Sequence, residues 1–122
     1  MMAYMKIESF NKLESAGIHK GAYFFGNALS ADEAVNEARY FAQLLAGKSF
    51  CYPVFYDVEA GMVTGNDLTG IIMAFLDEMR NAGYKNVGLY SYENCINNYV
   101  DISRVKEAGY AVWVAKYSSN NP

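Results

Sequence analysis

The chain has 122 residues, of which 52% are hydrophobic and 19% charged, with a formal net charge of −3. That length and apolar share give one domain with a real core and exclude a disordered chain. The acidic balance and the absence of any basic run give no reason to expect nucleic acid or an anionic membrane as partner, and no apolar stretch approaches the ~18 residues that span a bilayer.

The first residues, Met1-Met2-Ala3-Tyr4-Met5-Lys6, lack a charged leader followed by an apolar segment, so no signal peptide is expected. Residues 3–16 read as a helix, with Ile7, Phe10 and Leu13 at spacing three and Gly17 as its stop. His19 falls in a connector and carries no expected chemistry. Gly21 to Phe25 reads as a buried strand with Tyr23 and Phe25 on one face. Ser30-Ala31-Asp32-Glu33 is a capping box that opens a second helix. Its apolar stripe is Ala34, Ala38, Phe41, Ala42 and Leu45, and Gly47 ends it.

Tyr52 to Glu59 follows as a strand, with Pro53 at its start, where a lost ladder donor costs little. Residues 61–65 read as a loop. A helix over 67–82 carries Leu68, Ile71, Ile72, Phe75, Leu76 and Met79 on nearly every turn. The third strand is Val87 to Ser91, followed by a helical patch from Glu93 to Tyr99. Asp101 is placed to cap a short helix through Ala108, with Gly109 as its stop. The fourth strand is Ala111 to Tyr117, and residues 118–122 form a polar tail. Helix then strand, repeated four times, predicts an α/β fold with a parallel sheet and right-handed crossovers.

The chemistry is concentrated at the end of the second strand. Alternation puts Phe55, Asp57 and Glu59 on one face and Val54, Tyr56 and Val58 on the other. Two carboxylates beside aromatics must be solvated, paired or shifted in pKa. The C-terminal end of a parallel strand is also where such folds bind ligands. Same-face positions two apart place their Cα atoms about 6.5 Å apart, close enough for one charge to raise the other's pKa. Solvated loop anions and helix-cap partners are the bland alternative. A metal pair is less favoured, because no further His or acid sits in the motif. Cys51 and Cys95 have no metal-type spacing and read as buried thiols. Eleven tyrosines against one tryptophan suit sugar rings or any other interface.

Taken in order, Gly21-Ala22-Tyr23-Phe24-Phe25, Tyr52-Pro53-Val54-Phe55-Tyr56-Asp57-Val58-Glu59, Gly88-Leu89-Tyr90-Ser91 and Trp113-Val114-Ala115-Lys116-Tyr117 resemble glycoside hydrolase family 25, the lysozyme-like muramidases of bacteria and their phages. The resemblance implies a partial, four-stranded TIM-like barrel over residues 1–122, a single domain of catalytic type. It implies a central fragment, since the family's opening strand has no counterpart before Met1 and its closing strands would follow Pro122. It also implies cleavage of the β-1,4 bond between N-acetylmuramic acid and N-acetylglucosamine, outside the cell or at its wall, with no cofactor and no metal. Glu59 would be the general acid, and Asp57 would orient or stabilise the N-acetyl group or the oxocarbenium. Tyr23, Phe25, Tyr56, Tyr90, Trp113 and Tyr117 would line the sugar groove. The expected partners are peptidoglycan glycan strands and a second copy that completes the sheet or barrel. A non-catalytic wall-sugar binder and a self-assembling half-barrel module are the alternatives.

Overall fold

The computed structural model describes residues 22–47, 54–63 and 65–115. The predicted helix over 3–16, the start of the second strand, and the end of the fourth strand with its tail lie outside the described residues. The elements in order are β1 (Ala22–Phe25), α1 (Ala31–Leu45), β2 (Val54–Val58), a short 3-10 turn (Ala60–Met62), α2 (Leu68–Asn81), β3 (Val87–Tyr92), α3 (Glu93–Tyr99), α4 (Ile102–Glu107) and β4 (Ala111–Ala115). The four strands form one sheet in the order β1-β2-β3-β4, and every neighbouring pair is parallel.

That monotonic order fixes where the helices go. A right-handed crossover that always moves in the same direction returns each helix to the same side of the sheet. The packing agrees. Ala34, Ala38, Phe41 and Leu45 of α1, the apolar stripe of α2, Cys95 of α3 and Val105 of α4 join Phe24, Val54, Tyr56, Val58, Val87 and Leu89 in a single core. The other face of the sheet carries no described helix, and the inward-pointing side chains stand there.

Local signals explain the element ends. The Ser30 hydroxyl accepts from the Glu33 amide at 3.2 Å. The Glu33 carboxylate reaches back one residue further than the capping-box expectation, accepting from the Leu29 amide at 2.8 Å. Asp67 caps α2 by accepting from the Gly70 amide at 3.0 Å. Asp101 stands at the start of α4 but makes no side-chain cap bond. Its carboxylate accepts from the Ser103 hydroxyl at 2.6 Å instead, a side-chain bond within the first turn. The 3-10 turn occupies part of the predicted loop over 61–65 and is closed by the Met62 amide donating to the Glu59 carbonyl at 3.0 Å.

One junction needs a glycine. Gly26 continues the β1–β2 ladder by donating its amide to the Asp57 carbonyl at 2.8 Å. A Cβ there would come within 2.7 Å of Met62 Sδ and 2.8 Å of the Tyr56 ring. The backbone after β1 therefore lies flat against the Tyr56 ring, and no side chain fits between them.

Candidate active site

The strand register assembles the inward face in rows. Phe25, Asp57, Tyr90 and Trp113 are aligned across the sheet, and Tyr23, Phe55, Gly88 and Ala111 form the row below. Paired residues of parallel strands project to the same face, so each row is a line of neighbours. In the lower row Gly88 has no side chain, and a Cβ there would strike the Ala111 carbonyl. With Ala111 beside it, the floor stays shallow at this point. The large rings close around that gap. Tyr23 and Tyr90 lie nearly parallel, with centroids 6.4 Å apart. Trp113 stands edge-on to Phe55 at 5.6 Å and to Tyr90 at 5.5 Å.

The result is a cavity of about 360 Å³ lined by Tyr23, Phe55, Asp57, Glu59, Tyr90 and Trp113. Trp113 is 56% exposed and forms its outer wall. Asp57 is 4% exposed and lies at its base. Glu59 stands one residue past the end of β2 and is half-buried. The mixture of flat apolar faces and two carboxyls is the usual composition of a site for a polar ring with apolar faces.

The two carboxyls are in hydrogen-bond contact, and burial first, then the Glu59 charge and that contact, push Asp57 up to about 7. Asp57 Oδ1 is buried and receives no donor from the protein. Two adjacent carboxyls, with no cation beside them among the described residues, cannot both ionise cheaply, and Asp57 is the one held in its protonated form toward neutrality. Such a pair contains a proton donor and an anionic acceptor within one cavity, which is what general acid chemistry with charge stabilisation requires. No group of three or more His, Cys, Asp or Glu able to hold a metal ion occurs among the described residues.

The expected groove residues divide into those that line the cavity and those that do not. Tyr23, Tyr90 and Trp113 line it with both carboxyls. Phe25 shares a row with Asp57 but does not line the cavity. Tyr117 lies outside the described residues. Tyr56 is a correction: it is fully buried on the helix side. Its ring stacks on Phe75 at 3.7 Å. Its hydroxyl donates to Glu37 Oε1 at 2.7 Å. The reason is strand alternation, which sends Tyr56 away from its neighbour Asp57. Phe55 was not among the expected groove residues, although alternation already put it on the carboxyl face. Glu37 gave no sequence signal at all. It is held by Tyr56 and by the Asn27 amide at 2.9 Å, and both are tertiary contacts.

No curated protein matches the chain. Among solved structures it resembles the modular autolysin LytC from Streptococcus pneumoniae, at 26% identity and a TM-score of 0.78, over 95% of this chain and 30% of that one. LytC in complex with a synthetic peptidoglycan ligand gives 25% identity and a TM-score of 0.78, over 94% and 29%. The CTP1L endolysin gives 25% identity and a TM-score of 0.76, over 94% and 39%. The chain thus spans between 29% and 39% of the length of these structures. The family model for glycosyl hydrolases family 25 matches residues 4–122, nearly the whole sequence, and the chain belongs to that family.

Proposed function

We propose that the chain carries the glycan-cleaving site of a peptidoglycan hydrolase of muramidase type, acting on the β-1,4 bond between N-acetylmuramic acid and N-acetylglucosamine at the bacterial cell wall. The observation that carries this reading is the contact between the Asp57 and Glu59 carboxyls in an aromatic-lined cavity. Glu59, the more accessible of the two, delivers to the glycosidic oxygen a proton that its contact with Asp57 supplies. Asp57 remains behind it, in the row between Phe25 and Tyr90, and stabilises positive charge at the sugar or the N-acetyl group that assists. Carboxyls in contact are closer than the ~5 Å of a retaining pair that flanks the bond. The pair therefore acts from one side of the sugar, which suits a substrate-assisted route. Tyr23, Tyr90 and Trp113 supply faces for sugar rings, and the reading needs no cofactor.

The experiment is clearing of purified bacterial cell walls by the chain and by Glu59→Gln. Clearing that is lost by at least a hundredfold in the variant supports the assignment. Equal clearing by both proteins refutes Glu59 as the acid.

A second copy is our assignment for the sheet edge. Among the described residues β4 pairs only with β3, and it leaves Trp113 and Val114 exposed on opposite faces. A parallel edge with apolar side chains on both faces is a template for another strand. Light scattering at tens of micromolar is expected to give a dimer or larger, and a clean monomer refutes this assignment.

A further inference from the structure

Ser91 occupies an unusual place. It is 1% exposed, on the helix-facing side of β3, in line with Val87 and Leu89. A hydroxyl on such a face costs free energy unless it is bonded, and a β-branched apolar residue would suit the strand better. Its partner is specific. Ser91 Oγ donates to the Val58 carbonyl at 2.7 Å, across 33 residues of sequence. Val58 is the last residue of β2, and the next residue is Glu59. Beyond it the Met62 amide holds the Glu59 carbonyl at 3.0 Å.

These contacts bracket Glu59 on both sides. A peptide unit is planar, so fixing the Val58 carbonyl also fixes the Glu59 N–H and limits the direction of its Cα–Cβ bond. The ordinary strand ladder fades at this point, because β2 ends and the chain turns. The side-chain hydroxyl supplies a bond where regular structure is being lost. Cys95, on the first turn of α3, lies in hydrogen-bond contact with Ser91. A hydroxyl has one proton and two acceptor sites. The Ser91 proton lies on the Val58 carbonyl, and Cys95 stands beside the same hydroxyl and limits its rotation. The thiol is buried, which raises its pKa and keeps it neutral.

We propose that Ser91, held by Cys95, is a positioning residue that aims Glu59 at Asp57 by anchoring the Val58–Glu59 peptide from the far side of the sheet. It touches no substrate. This inference rests on the reading of Asp57 and Glu59 as the working pair, but its test does not depend on turnover.

The variants are Ser91→Thr and Ser91→Val, which have nearly the same shape and differ in one hydroxyl. The readout is the carboxyl-carbon NMR titration of Asp57 and Glu59 in the free chain, with melting temperature as the folding control. Ser91→Thr is expected to keep the wild-type titration. Ser91→Val is expected to lower the upper midpoint by at least about 0.5 pH unit, a roughly threefold change in proton affinity, as the carboxyls separate. Identical titrations in both variants, or equal shifts in both, overturn the proposal. If Ser91→Val does not fold, Cys95→Ala replaces it. A lower upper midpoint in Cys95→Ala supports the role, and an unchanged one overturns it. Failure of the chain to clear cell walls would count against the proposed function and leave this titration result intact.

Discussion

Asp57→Asn should change the pH dependence of stability in a direction that geometry dictates. Asp57 is nearly inaccessible and moves from an ordinary value of 3.8 to about 7 in the folded chain. The folded state therefore binds this proton more tightly than the unfolded state does. The stability that follows is fully present below about pH 4 and is lost as the pH rises through about 7. At ~1.4 kcal/mol per pH unit, the interval amounts to ~4 kcal/mol as an upper bound. Asparagine keeps the shape and cannot ionise, so the variant should escape that loss. Urea denaturation of both proteins at pH steps between 4 and 8 is the assay. The stability difference should move in favour of Asp57→Asn by ~2–4 kcal/mol over that range, on the order of 10 °C in melting temperature. Glu37 is also raised by burial and gives a slope of the same sign, but it is present in both proteins and cancels. Parallel curves, or a gap that opens toward acid, would refute the raised affinity of Asp57 for its proton.

Three further outcomes test the rest of the construction. Tyr56→Phe keeps the stack on Phe75 but removes the bond to Glu37. It should cost ~1–2 kcal/mol by thermal or urea melting and leave saccharide affinity unchanged, whereas weaker binding at unchanged stability would return Tyr56 to the groove. Trp113→Ala, at a site 56% exposed, should change stability by less than about 1 kcal/mol. It should also weaken binding of a soluble peptidoglycan fragment about tenfold by calorimetry, and full affinity would remove Trp113 from the groove. Gly26→Ala forces a methyl against Met62 and Tyr56, and should cost ~1–3 kcal/mol, so a neutral result would show that this junction is looser than drawn.

Most of the architecture was legible because it is periodic. The 3.6-residue recurrence in Leu68, Ile71, Ile72, Phe75, Leu76 and Met79 placed α2 within a residue at each end. Alternation in β2 by itself separates Asp57 from Tyr56. The same rule argued against Tyr56 as a groove residue, and the structure follows the rule. Other features depend on residues far apart in sequence. Glu37 meets Tyr56 only because α1 packs over β2, and Ser91 meets Val58 only through strand pairing. The Ala60–Met62 turn had no period to detect. Ser91 did leave a trace, as a lone hydroxyl on an otherwise apolar strand face, but one polar residue becomes informative only when its partner is known.

The strand order has a consequence for how such a groove can be lengthened. Each β-to-α unit sets its strand beside the previous one and adds one column of inward side chains: Tyr23 from β1, Phe55 and Asp57 from β2, Tyr90 from β3 and Trp113 from β4. Nothing already in place has to be rethreaded to add another column at either margin. The carboxyl column lies in the second position, and its fixation comes from its immediate neighbours. The length of the groove can therefore vary by whole units while the carboxyls of Asp57 and Glu59 stay where β1 and β3 keep them.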